Sequence, residues 1–129
     1  ELSNEAHYYR AKAYLDAGKT DGAMEDLKIL AKDTRNVYGA EAKYKVAQIY
    51  FDGGQTDKAE QEVLNYIEVS TPHTYWLARS FVLLADVYMK LGRNLDAKQY
   101  LLSLKQNYQA DDDIAGMIES RLEKLKTEN

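Results

Sequence analysis

The chain has 129 residues, no cysteine and one proline, with 45% hydrophobic residues, 29% charged residues and a formal net charge of −4. That length fits one compact domain or a short repeat array and not two full domains. Mild acidity argues against a nucleic-acid binder and a polybasic membrane-surface protein, no run of about 18 apolar residues marks a membrane span, and the lack of cysteine removes disulfides, thiolate metal sites and a cysteine nucleophile.

The chain begins at Glu1 and reads as helix by Ala6. This is the pattern of a piece of a longer protein or a processed product, so a missing signal peptide says nothing about compartment. The first unit spans about residues 4–36. In it Ala11, Tyr14 and Gly18 recur at i, i+3, i+7, one face of a helix. Gly18 suits the left-handed residue that ends a helix, and Thr20 suits the N-cap of the next. Ala23, Leu27 and Leu30 then stripe a second helix. The second unit, about 37–73, repeats the columns 36 residues on, with Ala47, Tyr50, Gly54, Thr56, Ala59, Val63 and Tyr66. The third, about 74–110, repeats them 38 further on, with Ala85, Tyr88, Gly92, Asn94, Ala97, Leu101 and Leu104. Thr71-Pro72 reads as N-cap and first helical residue of the third unit, and Trp76 as a packing residue.

Each unit is helix, tight turn, helix, and short connections make the two helices antiparallel neighbours. The repeated alanines let helix backbones approach closely. Beyond the third unit, Asp111, Asp112 and Asp113 precede an Ile114–Ile118–Leu122–Leu125 stripe. This predicts a capping helix over 112–126, with acidic residues at its start and Lys124 and Lys126 near its end complementing the helix dipole. Thr127 to Asn129 are expected to fray. The count is seven helices.

No catalytic constellation emerges. Gly18-Lys19-Thr20 resembles the end of a phosphate loop, but Ala13 stands where that loop needs a glycine, inside a helix. His7 and His73 lie in different units with no paired-ligand spacing, and the aspartate run lacks a fixed oxygen cage. The chain therefore reads as a non-enzyme with no metal and no cofactor.

The columns Ala11-Tyr14-Gly18-Ala23-Leu27-Leu30 and their two copies resemble the tetratricopeptide repeat (TPR) family. The copies depart from its motif in the large Leu30, Tyr66 and Leu104 where a smaller residue is usual, and in His7 and Lys43, where only the third copy has an aromatic, Phe81. Steps of 36 and 38 residues are similar to those of bacterial cell-envelope members, including the periplasmic Tol-Pal accessory type and outer-membrane assembly lipoproteins. That likeness leans localisation to the periplasm or outer membrane. The resemblance implies an all-α right-handed solenoid of three helix hairpins plus the capping helix, a single domain over 1–129. It also implies a protein-interaction scaffold whose first helices line a peptide-binding groove. The positions that correspond are Tyr8, Lys12 and Leu15; Tyr44, Gln48 and Phe51; and Arg79 and Asp86. The partner implied is a protein or peptide, and not a nucleic acid. The clamp for a peptide carboxylate in chaperone-binding members is not reproduced: Tyr8, Lys12 and Leu83 replace its residues, and Arg79 alone matches in charge. The alternative reading is a spacer within a longer solenoid, or a homo-oligomer formed through the open face of residues 4–16.

Overall fold

The computed structural model describes residues 1–127; Glu128 and Asn129, two of the three residues expected to fray, lie outside the described residues. Seven helices follow in order: α1 (Asn4–Asp16), α2 (Thr20–Leu30), α3 (Val37–Asp52), α4 (Thr56–Glu68), α5 (Thr74–Lys90), α6 (Asn94–Asn107) and α7 (Ile114–Thr127). The described residues contain no strand, and none of these helices is long and apolar enough to cross a membrane. Two compact units divide the chain, one over residues 1–77 and one from Ala78 onward. In the first, α1 packs on α2, α3 on α4, and α3 also meets α1 and α2; in the second, α7 packs on α6.

The three glycines behave as the repeat predicts. Gly18, Gly54 and Gly92 have φ of 74°, 80° and 78°. Each donates its N–H to the carbonyl three residues back, Leu15, Phe51 and Met89, at 3.0–3.1 Å. The next N–H, of Lys19, Gln55 or Arg93, reaches the carbonyl of Tyr14, Tyr50 or Tyr88 at 2.8 Å. This pair of bonds is the Schellman motif, which consumes carbonyls a helix end would otherwise leave unpaired.

Four expected caps are corrected. Thr20, Thr56 and Asn94 are the first helical residues rather than N-caps. Lys19, Gln55 and Arg93 hold the cap position, and none makes a side-chain cap bond. The turn is one residue tighter than read, because the residue after each glycine closes the first helix and opens the second. First-turn acids Asp21, Asp57 and Asp96 stand at those helix starts instead, where they oppose the dipole. Likewise Thr71-Pro72 precedes α5 rather than opening it. The Thr71 hydroxyl donates to the Thr34 carbonyl at 2.7 Å and accepts the His73 N–H at 3.1 Å. Thr34 in turn donates to the Ser70 carbonyl at 2.7 Å, so the α2–α3 and α4–α5 loops are stitched together. The last helix starts at Ile114, two residues later than expected, with Asp112 accepting the Ile114 N–H at 2.9 Å.

Most predicted column residues are buried, joined by Ala42, Val46, Leu84 and Val87, which the columns did not include, while Tyr14, Tyr50 and Leu122 are half-buried. Ala11, Ala23, Leu27, Leu30, Ala42 and Val46 cluster in the first unit, while Leu84, Val87, Leu101, Ile114 and Ile118 are buried in the second. Tyr66, large for its column, is buried, and its hydroxyl donates to the Ala40 carbonyl at 3.2 Å. Burial pushes that phenol up to about 12. Gly39 near the start of α3 was not singled out by its sequence. A Cβ there would lie 1.9 Å from the Asp33 carbonyl oxygen and 2.6 Å from that of Leu30, so α3 crosses the end of α2 only because the side chain is absent.

Two stability results follow from this packing. Gly39→Ala should lower stability by at least about 1–3 kcal/mol through overpacking against backbone. Gly116→Ala, in α7 with open space at its Cβ, should raise it by about 0.4–1 kcal/mol. Thermal melts giving the two substitutions the same sign would refute the assignment. Ala59 is wholly buried, and Ala59→Leu should cost about 1–3 kcal/mol in the same assay.

Candidate functional site

The residues expected to face a ligand fall into distinct settings. Tyr8 on α1 is half-buried, and its hydroxyl donates to both carboxylate oxygens of Glu41 on α3, each at 3.1 Å. Lys45 pairs with Glu41 at 2.6 Å. Around the Tyr8 ring stand Lys12 and Lys45, with Nζ 5.6 and 5.9 Å from its centroid, and the Tyr38 ring at 4.7 Å. Burial, and then the Glu41 carboxylate, push the Tyr8 phenol up to about 12, so it stays a donor across the neutral range. Lys12 itself is exposed.

Tyr44 and Gln48, one turn apart on α3, form a second cluster. The Tyr44 hydroxyl donates to Gln48 Oε1 at 2.7 Å, and Gln48 Nε2 donates to Asp52 Oδ1 at 2.8 Å. The Tyr44 ring is 7% exposed and lies 5.7 Å from that of Trp76. It is a wall of this face rather than a protruding anchor. Leu15 packs against the core of the first hairpin, and Phe51 is half-buried near the end of α3. Arg79 and Asp86 belong to the second unit. There Asp86 receives Arg121 of α7 in a two-pronged pair, 3.0 and 3.1 Å. The structure thus joins Tyr8 with Lys12 and Tyr44 with Gln48, and gives Asp86 a partner within its own unit.

One relationship went unread although its signal was present. Residues 19 apart pair across each hairpin: His7 with Asp26, Lys43 with Glu62, and Phe81 with Tyr100. His7 Nδ1–H donates to Asp26 Oδ1 at 2.8 Å, which fixes the tautomer, and Arg10 grips both oxygens of the same carboxylate at 2.8 and 2.7 Å. Lys43 Nζ donates to Glu62 and Asn65, both at 2.6 Å. Polar pairs therefore occupy the columns where the third hairpin stacks aromatic rings, and the substitution of His7 and Lys43 for an aromatic is compensated on the facing helix.

Asp26 is 1% exposed. The Arg10 guanidinium, aided by His7, holds its carboxyl below the usual range against the opposing effect of burial. A carboxyl lowered by folding contributes stability above its unfolded value of about 3.9, and that contribution disappears as pH falls through the folded value. Asp26→Asn should therefore cost roughly 2–3 kcal/mol at pH 7, and the gap from wild type should narrow below about pH 4. Urea melts at pH 7 and pH 3 with equal gaps would refute this.

Two tetratricopeptide repeat models match the chain, over residues 5–33 and 78–108. The first match runs through α1 and α2 and the second through most of α5 and α6. No curated protein matches the chain significantly.

Proposed function

Because the chain is a tetratricopeptide repeat protein, we propose that its first unit receives a peptide-like segment of a partner protein along the paired helices α1 and α3. Repeats of this family are generally protein–protein interaction modules. The observation that carries the finer reading is the fixed state of the polar groups on that face. Tyr8, Glu41 and Lys45 lock one another, as do Tyr44, Gln48 and Asp52. A surface already ordered by internal hydrogen bonds loses little side-chain freedom when a partner docks.

Within this surface the tyrosine rings supply amphipathic walls. Lys12, exposed beside the Tyr8 ring, supplies a mobile cation for a carboxylate or carbonyl. The Gln48 amide keeps a second N–H for a partner backbone. Asp86 is bridged to Arg121, so the proposal does not use it. A second reading, self-association through α1, is favoured by Tyr9, which is 57% exposed, with Leu2 just before the helix 42% exposed. Light scattering that returns the 14.8 kDa monomer mass at every concentration would remove it.

The test is calorimetry with a partner recovered by affinity capture. Lys12→Ala and Gln48→Ala should each weaken binding by more than about fivefold, the level that marks a contributing interface residue, with melting temperature unchanged in Lys12→Ala and the fold retained in both. Unchanged affinity in both variants would reject the α1–α3 face.

A further inference from the structure

Beside the two glycine turns of the first unit lies a cleft of about 550 Å³, which is apart from the Tyr8 cluster and meets the Tyr44 cluster at Asp52. Its apolar walls are Leu15 of α1, Met24 of α2, and Ile49 and Tyr50 of α3. All four pack against the buried core of the first hairpin, so the walls are held in place. Its charged lining is Asp21 and Asp52.

The two carboxylates are not equivalent. Asp21 is the second residue of α2, where the positive helix end offsets its charge. Asp52 is the last residue of α3, where the helix end is itself negative, and no basic residue stands in the last turn. Its one bond from the neutral Gln48 amide leaves the charge in place. Lys28 and Lys58 each stand 5.7 Å from the centre of the Tyr50 ring, one wall of the cleft, and exposed Lys19 precedes α2, but no lysine lines the cleft itself, whose charged lining is wholly acidic. The cleft is therefore apolar along its length and negative at the Asp52 end.

We propose that this cleft docks a partner-protein segment that carries a leucine-sized apolar residue next to an arginine or lysine. The apolar side chain lies on Leu15, Met24 and Ile49, and the cation is directed to Asp52. An acidic segment would meet Asp52 with like charge. A neutral one would forgo the only charge preference the cleft has. The inference goes beyond the α1–α3 face in using the turn end of the hairpins and a basic partner group, although the two surfaces meet at Asp52.

The test uses the full ¹⁵N-labelled chain and an acetylated, amidated Gly-Leu-Arg-Leu-Arg-Gly peptide, followed by amide chemical shifts. The expected result is saturable shifts confined to residues 15–24 and 49–55. Kd should rise about fivefold in Asp52→Asn, the effect of losing one exposed ion pair, and should rise with added salt. The same peptide with glutamate for arginine should bind more weakly. Each spectrum reports whether the variant is folded. Lys12→Ala should bind this peptide as wild type does, which separates the cleft from the α1–α3 face. Equal binding of the glutamate peptide, an unchanged Kd in Asp52→Asn, shifts mapping elsewhere, or no saturable shifts would each overturn the proposal.

Discussion

A single backbone state closes each hairpin, and the rest of the arrangement depends on it. At Gly18, Gly54 and Gly92 the chain adopts φ of 74–80°, a region that costs a residue with a Cβ about 1–2 kcal/mol. Once there, the chain reverses within three residues, and the following N–H returns to the tyrosine carbonyl at the same 2.8 Å in all three copies. Because the residue after the glycine both ends one helix and starts the next, the phase between helices is fixed. With that phase Ala11, Ala23, Ala47 and Ala59 are all essentially buried. The tyrosine whose carbonyl closes each turn serves a second purpose. At two of the three turns its ring takes a cation–π contact: Arg93 lies 4.3 Å from the Tyr88 ring centre, and Lys28 and Lys58 flank that of Tyr50.

With phase fixed by the turn, the residues 19 apart across each hairpin become obligatory partners. The solutions differ in chemistry while the geometry is constant. Phe81 and Tyr100 stack their rings; Lys43 is satisfied by Glu62 and Asn65; His7 and Arg10 share Asp26. The polar versions carry a constraint the aromatic one lacks. A buried carboxylate such as Asp26 is tolerated only while its donors are present, so mutation of either side is costly although the pair as a whole adds little. Among the described residues no buried side-chain polar atom lacks a hydrogen-bond partner, which fits pairing chosen hairpin by hairpin.

The helices, the glycine turns and the core columns were legible in the sequence because each rests on local chemistry repeated in three copies. Gly18, Gly54 and Gly92 declared themselves by spacing and residue type together. What was not legible depended on contacts between separated segments. The Thr caps were misplaced by one residue because Thr is equally at home at the cap and in the first turn, and only the path of the Lys19 N–H to Tyr14 decides between them. Thr71 was read as a cap because its hydrogen bond to Thr34, 37 residues away, leaves no trace in local pattern. Gly39 carries no repeat signal at all, since its need for a missing side chain comes from the Asp33 carbonyl.

The candidate face shows the same division. Tyr8, Lys12, Tyr44 and Gln48 were placed on the first helices from the repeat register, and Tyr8 does sit beside Lys12 and Tyr44 beside Gln48. The register says nothing about how those side chains are used. Tyr8 spends its hydroxyl on Glu41, and Tyr44 spends its own on Gln48. Asp86, in the corresponding column of α5, is taken by Arg121. In that column Gln48 and Asp86 are taken up by neighbouring side chains, whereas Lys12 stays exposed. Under the two proposals, the exposed charges that remain for a partner are Lys12 beside Tyr8 and Asp52 at the end of the turn cleft. The two are opposite in sign, so a single extended partner touching both would need an acidic group at one contact and a basic group at the other.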